Sequence, residues 1–325
     1  MLKLSVVVPV YNEQAVLPEL HRRLAAALDA IAAEIAGEIV YVNDGSTDAS
    51  MHRLTELHDS DVRVTVVDLS RNFGKEIATS AGLDHATGDA VILIDADLQD
   101  PPELIPDMVR AWRAGSDVVR MRRASRAGES WLKRATARTF YRAIGRISEI
   151  QIPPDVGDFR LLSRRAVAAL SRFPERTRFM KGLYAWIGFP TVEIEYHRDS
   201  RFAGESKWNY WRLWNLALEG ITSFSVGPLK VASYVGFATA LAAFGYGIFF
   251  IFKTLLHGDL VRGFPTLIVV VLFLGGLQLM ALGIIGEYLA RVFIDVKGRP
   301  LYLVQRTMLS TQTLPAPATT TDSLP

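Results

Sequence analysis

Cysteine is missing from all 325 residues. Disulfides, zinc–thiolate sites and cysteine nucleophiles are therefore excluded, which is compatible with a reducing compartment. A dominant charge is missing too. Lys and Arg number 36 against 34 Asp and Glu, for a formal net charge of +2, so overall charge selects no partner. No internal repeat is visible. Nor does the N-terminus read as a secretory leader: the apolar run 4–10 is short, contains Pro9 and meets no small-residue cleavage site. It reads as a buried first strand. Apolar character, by contrast, is plentiful. Half of the chain is hydrophobic, and mean hydropathy is +0.19 despite 22% charged residues. That excess must be concentrated in one part of the chain.

The first part alternates β-branched runs with helical patterns. Strands are expected at 4–10, 39–43, 62–68 and 90–94, and helices at 13–36, 73–86 and 102–114. Such alternation implies βαβ units and a mostly parallel sheet, with ligands at the carboxyl ends of the strands. Polar clusters fall at those ends: Tyr11-Asn12-Glu13, Asp44-Gly45-Ser46 and Asp95-Ala96-Asp97.

The far end differs. Residues 229–252 are apolar except for Lys230, and 264–285 except for Gln278. Each is long enough for a membrane helix, and the polar link 253–263 makes them a hairpin. Glu287 and Arg291 are one turn apart and suited to pair. Arg212, Lys230, Lys297, Arg299 and Arg306 put most positive charge on the side of both termini, which is then cytoplasmic. From about Thr311 the chain is rich in Thr, Pro, Ala and Ser and reads as a disordered tail.

Asp95 and Asp97 leave the end of a buried strand, one residue apart, so both carboxylates are able to approach one hard cation. Mg²⁺ and Mn²⁺ favour such oxygens together with substrate phosphates. The competing reading is a helix start, for which Asp100 before Pro101-Pro102 is equally suited. Asn43-Asp44-Gly45-Ser46 is similarly either a ribose or base contact or ordinary turn chemistry. Tyr11 either stacks on a base or covers the sheet end.

In order along the chain stand Pro9-Val10-Tyr11-Asn12-Glu13, Asn43-Asp44-Gly45-Ser46, Asn72-Phe73-Gly74-Lys75 and Asp95-Ala96-Asp97-Leu98-Gln99. Together they resemble family 2 glycosyltransferases of the GT-A fold. Val156-Gly157-Asp158-Phe159-Arg160-Leu161 and Arg201-Phe202-Ala203-Gly204-Glu205-Ser206-Lys207 resemble the polyprenyl-phosphate branch, which includes dolichol-phosphate mannosyltransferases and bactoprenol glucosyltransferases. Phe179-Met180-Lys181-Gly182 and residues 214–222 resemble the bactoprenol enzymes most. The likeness covers nearly everything except the tail.

The resemblance implies an α/β GT-A domain over residues 1–200. It also implies a juxtamembrane segment at 201–228, two membrane helices within 229–292 and a cytoplasmic, partly disordered tail at 293–325. It places Pro9, Tyr11, Asn12, Glu13 and Asp44 at the nucleotide, with Lys75, Arg120 and Arg122 also touching substrate. Asp95, Asp97 and Gln99 would hold Mg²⁺ or Mn²⁺ on the donor diphosphate, while Asp158, Arg201 and Lys207 would be catalytic. The implied reaction is inverting hexose transfer, glucose from UDP-glucose, to undecaprenyl phosphate at a bacterial inner membrane. An attacking lipid phosphate is already anionic, so Asp158 need not be a strong base. The alternatives for it are positioning the sugar or orienting a basic partner such as Arg160.

A basic stripe at Arg134, Arg138, Arg142 and Arg146, opposite Leu132, Phe140, Ile144 and Ile147, suits a bilayer surface. Trp208, Tyr210, Trp211 and Trp214 suit the headgroup layer. Nucleic acid is not expected as a partner. Gly275, Gly276, Gly283 and Gly286 would permit close helix packing in a homo-oligomer, or reflect ordinary membrane composition. Three rivals remain: mannose transfer from GDP-mannose, a processive synthase and a non-catalytic binding subunit. The chain lacks the Gln-x-x-Arg-Trp motif of the processive enzymes, and a scaffold would have no reason to keep the Asp95/Asp97 pair.

Overall fold

The computed structural model describes residues 1–123, 156–176, 178–196, 227–257 and 263–311. The chain divides into two compact units. One holds residues 1–136, 152–208 and 300–325, and the other holds 137–151 and 209–299.

The first unit is built on β1 (Leu2–Val10), β2 (Ile35–Asn43), β3 (Val64–Leu69), β4 (Ala90–Leu93), β5 (Val118–Arg123), β6 (Val156–Ser163), β7 (Thr191–Tyr196) and β8 (Val304–Met308). Their order across one sheet is β7-β5-β6-β4-β1-β2-β3-β8. β1, β2, β3 and β4 run parallel, β5 pairs parallel with β7, and β6 and β8 run antiparallel to their neighbours. The central strands are rich in Val, Ile and Leu at successive positions, as strands buried on both faces are. Leu4, Val6, Val7, Val8, Ile39, Val40, Val66, Val67 and Ile92 are fully buried.

The helices of this unit are α1 (Leu17–Asp29), α2 (Ser50–Ser60), α3 (Lys75–His85), α4 (Ile105–Arg113), α5 (Arg164–Leu170) and α6 (Met180–Trp186). α1 buries Leu17, Leu20, Leu24, Ala27 and Leu28, an apolar stripe at helical spacing. α3 buries small residues, Ala78, Ala81 and Gly82, and therefore lies close on the sheet. A Cβ at Gly82 would collide with Val7.

Two expectations are corrected. The helix expected over 13–36 occupies only Leu17–Asp29, and β2 begins at Ile35. The Ala/Ile pattern of 30–36 suits either element, and pairing of Ile35 with Leu2 decides for strand. The tail expected from 293 is not simply an appendage. Residues 304–308 add β8 to the outer edge of β3, Ser70 N–H donates to Leu303 O at 2.9 Å, and Ser310 Oγ donates to Val62 O at 2.6 Å. A five-residue strand with no alternation in burial carries little local signal, and its pairing edge fixes it.

The second unit contains α7 (Gly227–His257) and α8 (Phe264–Val296), which pack against each other. Leu229–Tyr246 is the one window among the described residues long and apolar enough to cross a membrane. The second expected span falls within α8. Phe237, Phe244, Leu255 and Leu279 are each more than two-thirds exposed or nearly so, an apolar surface that water does not favour. Arg291 pairs with Glu287 at 3.3 Å, as their spacing suggests.

Candidate active site

Four parallel strands deliver their carboxyl ends to one edge of the sheet, and the loops there are tied to one another. After β1, Asn12 adopts a left-handed backbone (φ 55°), which its short polar side chain tolerates. Its Oδ1 accepts from Thr47 N–H at 2.8 Å, and its own N–H donates to Ser46 Oγ at 3.0 Å. Glu13 N–H donates to Ser50 Oγ at 2.9 Å. After β2, Asp44 accepts from Phe73 N–H at 2.7 Å and Gly74 N–H at 3.0 Å. Asp44 therefore positions the loop leading to Lys75 as well as lying where a nucleotide contact is expected. Burial pushes its carboxyl up, and those two N–H donors oppose the push. Gly45 sits at φ 63°, and a Cβ there would strike the backbone of Arg71 and Asn72. Only glycine permits this approach of the two loops. Tyr11 is 39% exposed at the rim.

β4 ends at Leu93, opposite Arg160 of antiparallel β6. Continuing that register places Asp158 opposite Asp95. The ammonium of Lys75, at the start of α3, joins them: Nζ lies 2.7 Å from Asp95 Oδ1 and 2.5 Å from Asp158 Oδ2. These residues are neither sealed nor fully open, with side-chain exposures of 43% for Lys75, 23% for Asp95 and 21% for Asp158. Burial alone would lower the lysine, but the two carboxylates hold it well above its usual range. Burial alone would raise Asp158. Lys75, Lys181 and Arg160 override that and hold it well below the carboxylate range. Asp97 Oδ1 accepts from Gln99 N–H at 3.1 Å, across a turn in which buried Leu98 takes φ 58°.

Glu76 and Arg160 complete the surroundings of Asp158. Glu76 follows Lys75 and accepts Met180 N–H at 3.2 Å, docking α6. Burial, then the nearby Asp158 charge, pushes it up to about 7. The Arg160 guanidinium is buried, donates to Gly157 O at 2.7 Å and lies 3.7 Å from the Tyr184 ring centre. The only local signal for Glu76 was an acid placed beside Lys75 at the head of a small-residue helix.

The structure brings Lys75, Asp95 and Asp158 into contact, with Asp97 and Gln99 in the adjoining turn. Arg120 and Arg122 are in cross-strand ion pairs with Glu193 and Glu195. Arg201, Lys207, the basic stripe and the tryptophan cluster lie outside the described residues. No group of three or more His, Asp or Glu able to hold a metal occurs among the described residues.

Residues 5–171 match the family model for glycosyl transferase family 2, and residues 227–292 match that of the GtrB C-terminal hairpin. An uncharacterized glycosyltransferase of Synechocystis is 53% identical over 93% of this chain and 95% of its own. The bactoprenol glucosyl transferase of Shigella phage SfII is 48% identical over 94% of this chain and 98% of its own. A prophage bactoprenol glucosyl transferase homolog of Escherichia coli K12 is 47% identical over 94% and 99%. With its GT-A α/β sheet and strand-end carboxylates followed by a C-terminal helical hairpin, the chain belongs to glycosyl transferase family 2 and is a glycosyltransferase.

Proposed function

We propose that the chain transfers glucose from UDP-glucose to undecaprenyl phosphate, with inversion and with a divalent cation, at the cytoplasmic face of a bacterial inner membrane. The observation that carries this reading is coverage. Likeness to the phage bactoprenol glucosyl transferase takes in 94% of this chain, so it includes the sheet, the strand-end carboxylates and the hairpin together. In this reading α7 and α8 anchor the enzyme, and residues 201–228 lie at the membrane surface.

A lipid phosphate is anionic near neutral pH, so its oxygen attacks the anomeric carbon without a proton being removed. The bond from that carbon to the diphosphate breaks, and UDP leaves with the electron pair. Asp158 suits this division. A carboxylate held so far below its usual range is a poor proton acceptor. Its fixed negative charge suits the positive charge that develops on a sugar ring during transfer. Asp95 and Asp97, with Gln99 beside them, are a hard-oxygen donor set that fits Mg²⁺ or Mn²⁺ shared with substrate phosphates. Such an ion supplies charge neutralisation for the leaving diphosphate. Pro9, Tyr11, Asn12, Glu13 and Asp44 would form the nucleotide side, and Lys75, Arg120, Arg122, Arg201 and Lys207 the phosphate-binding side.

The test uses purified full-length protein in detergent with undecaprenyl phosphate, Mg²⁺ and radiolabelled UDP-glucose. Label that enters the organic phase and is lost with EDTA supports the reading. Label transferred from GDP-mannose but not from UDP-glucose overturns the donor, and no label from any nucleotide-sugar overturns the reaction.

A further inference from the structure

The cations around the strand-end carboxylates are committed to different degrees. Lys75 is held between Asp95 and Asp158. Arg160 is buried against Tyr184 and donates to backbone carbonyls. Arg120 and Arg122 face Glu193 and Glu195. Lys181 differs: its side chain has no ion pair or hydrogen bond with any described residue. Its backbone is nevertheless pinned on both sides. Met180 N–H donates to Glu76 Oε2 at 3.2 Å, and the Tyr184 ring is fixed by the Arg160 guanidinium. Tyr184 lies three residues after Lys181 and so shares its helix face. Half-buried there, Lys181 acts electrostatically on both Asp158 and Glu76. Asp158 Oδ1 is buried and has no hydrogen-bond partner among the described residues, so this carboxylate has not captured the ammonium. A lysine on a fixed backbone, its ammonium near Asp158 and Glu76 but hydrogen-bonded to neither, is suited to an incoming phosphate oxygen.

We propose that Lys181 is a substrate-binding residue that takes a phosphate oxygen, supplied by the donor's diphosphate or by the acceptor's monophosphate. The assignment rests on the transfer of a sugar between phosphates proposed above. It is tested by titrating the full-length protein in detergent with UDP and, separately, with undecaprenyl phosphate. Wild type is compared with Lys181→Met, Lys181→Gln and Lys181→Arg. Loss of one charge-assisted contact should weaken one ligand about tenfold or more in the Met and Gln variants. The Arg variant should stay within about threefold of wild type, and the ligand affected identifies the phosphate. The Gln variant keeps a hydrogen-bonding tip and guards against a folding defect in the Met variant. Wild type that binds either ligand, with affinities the Met and Gln variants leave unchanged, overturns the assignment alone. Weakening that Arg fails to rescue also overturns it. Wild type that binds neither ligand overturns both the assignment and the proposed function.

Discussion

The two ends of the central strands both hold charge, and they treat it differently. At the amino end Glu38 is 1% exposed, and every oxygen is used. Lys3 Nζ lies 3.2 Å from Oε1, Ser5 Oγ donates to Oε2 at 2.5 Å, and Thr87 N–H donates to Oε2 at 3.1 Å. At the carboxyl end Lys75 is shared by two carboxylates, Asp158 Oδ1 has no described hydrogen-bond partner, and Glu76 is pushed up to about 7. Saturation is what a structural pair needs, because an unsatisfied buried group costs stability. Incomplete pairing and shifted ionisation are what a site awaiting ligand charge shows.

The sharpest way to break this comparison is to neutralise one carboxylate at each end. Asp158→Asn should lower sugar transfer by roughly a hundredfold or more while leaving the melting temperature within a few degrees. Transfer at near wild-type rate would remove Asp158 from the site. Glu38→Ala should do the reverse. It strands Ser5 and Thr87 and should cost about 2–3 kcal/mol in denaturant unfolding, with the activity of the folded fraction retained. If instead activity falls at unchanged stability, the two ends are not functionally distinct.

A smaller effect is expected where loop contact supports the site. Gly45→Ala forces a Cβ against Arg71 and Asn72 at a left-handed φ and should cost about 1–3 kcal/mol. It should also reduce transfer, because Asp44 then holds the Phe73–Gly74 loop less well. Wild-type unfolding and activity together would show that the loops do not need this approach.

The smallest effect concerns pH. Glu76 has a folded-state value of about 7 against an ordinary 4.5, so between those values the folded protein binds more protons than the unfolded chain. Its contribution to stability therefore falls as pH rises from about 4.5 to about 7 and is constant above that. Glu76→Gln should flatten this part of the melting-temperature curve by a few degrees. An unchanged slope would mean that burial and the Asp158 charge do not raise Glu76. The Asp158 value is displaced the other way, so it stays ionised across this range and adds no slope there.

Much of the site was legible because its parts are local. Asp95 and Asp97 follow a buried apolar strand, and Asp44-Gly45 ends another, so motif and position are read together. Arg120 and Arg122 show the limit. β7 pairs beside β5 in register and offers Glu193 and Glu195 to them, partners that no local signal announced. Glu76 was illegible for the same reason, since its neighbour Met180 is 104 residues away.

By itself the sequence determined the alternation of strands and helices, the gathering of polar clusters at the carboxyl ends of the strands and the apolar character of the C-terminal helices. Each of these follows from burial patterns within one element or from a short run of residues. Only the tertiary structure decided that β8 returns to the edge of β3 and that Ile35 belongs to a strand. The structure also decided that Lys75 joins Asp158, 83 residues away, to Asp95. These depend on which strand edges remain unpaired and on register between distant segments, and no local periodicity carries that information.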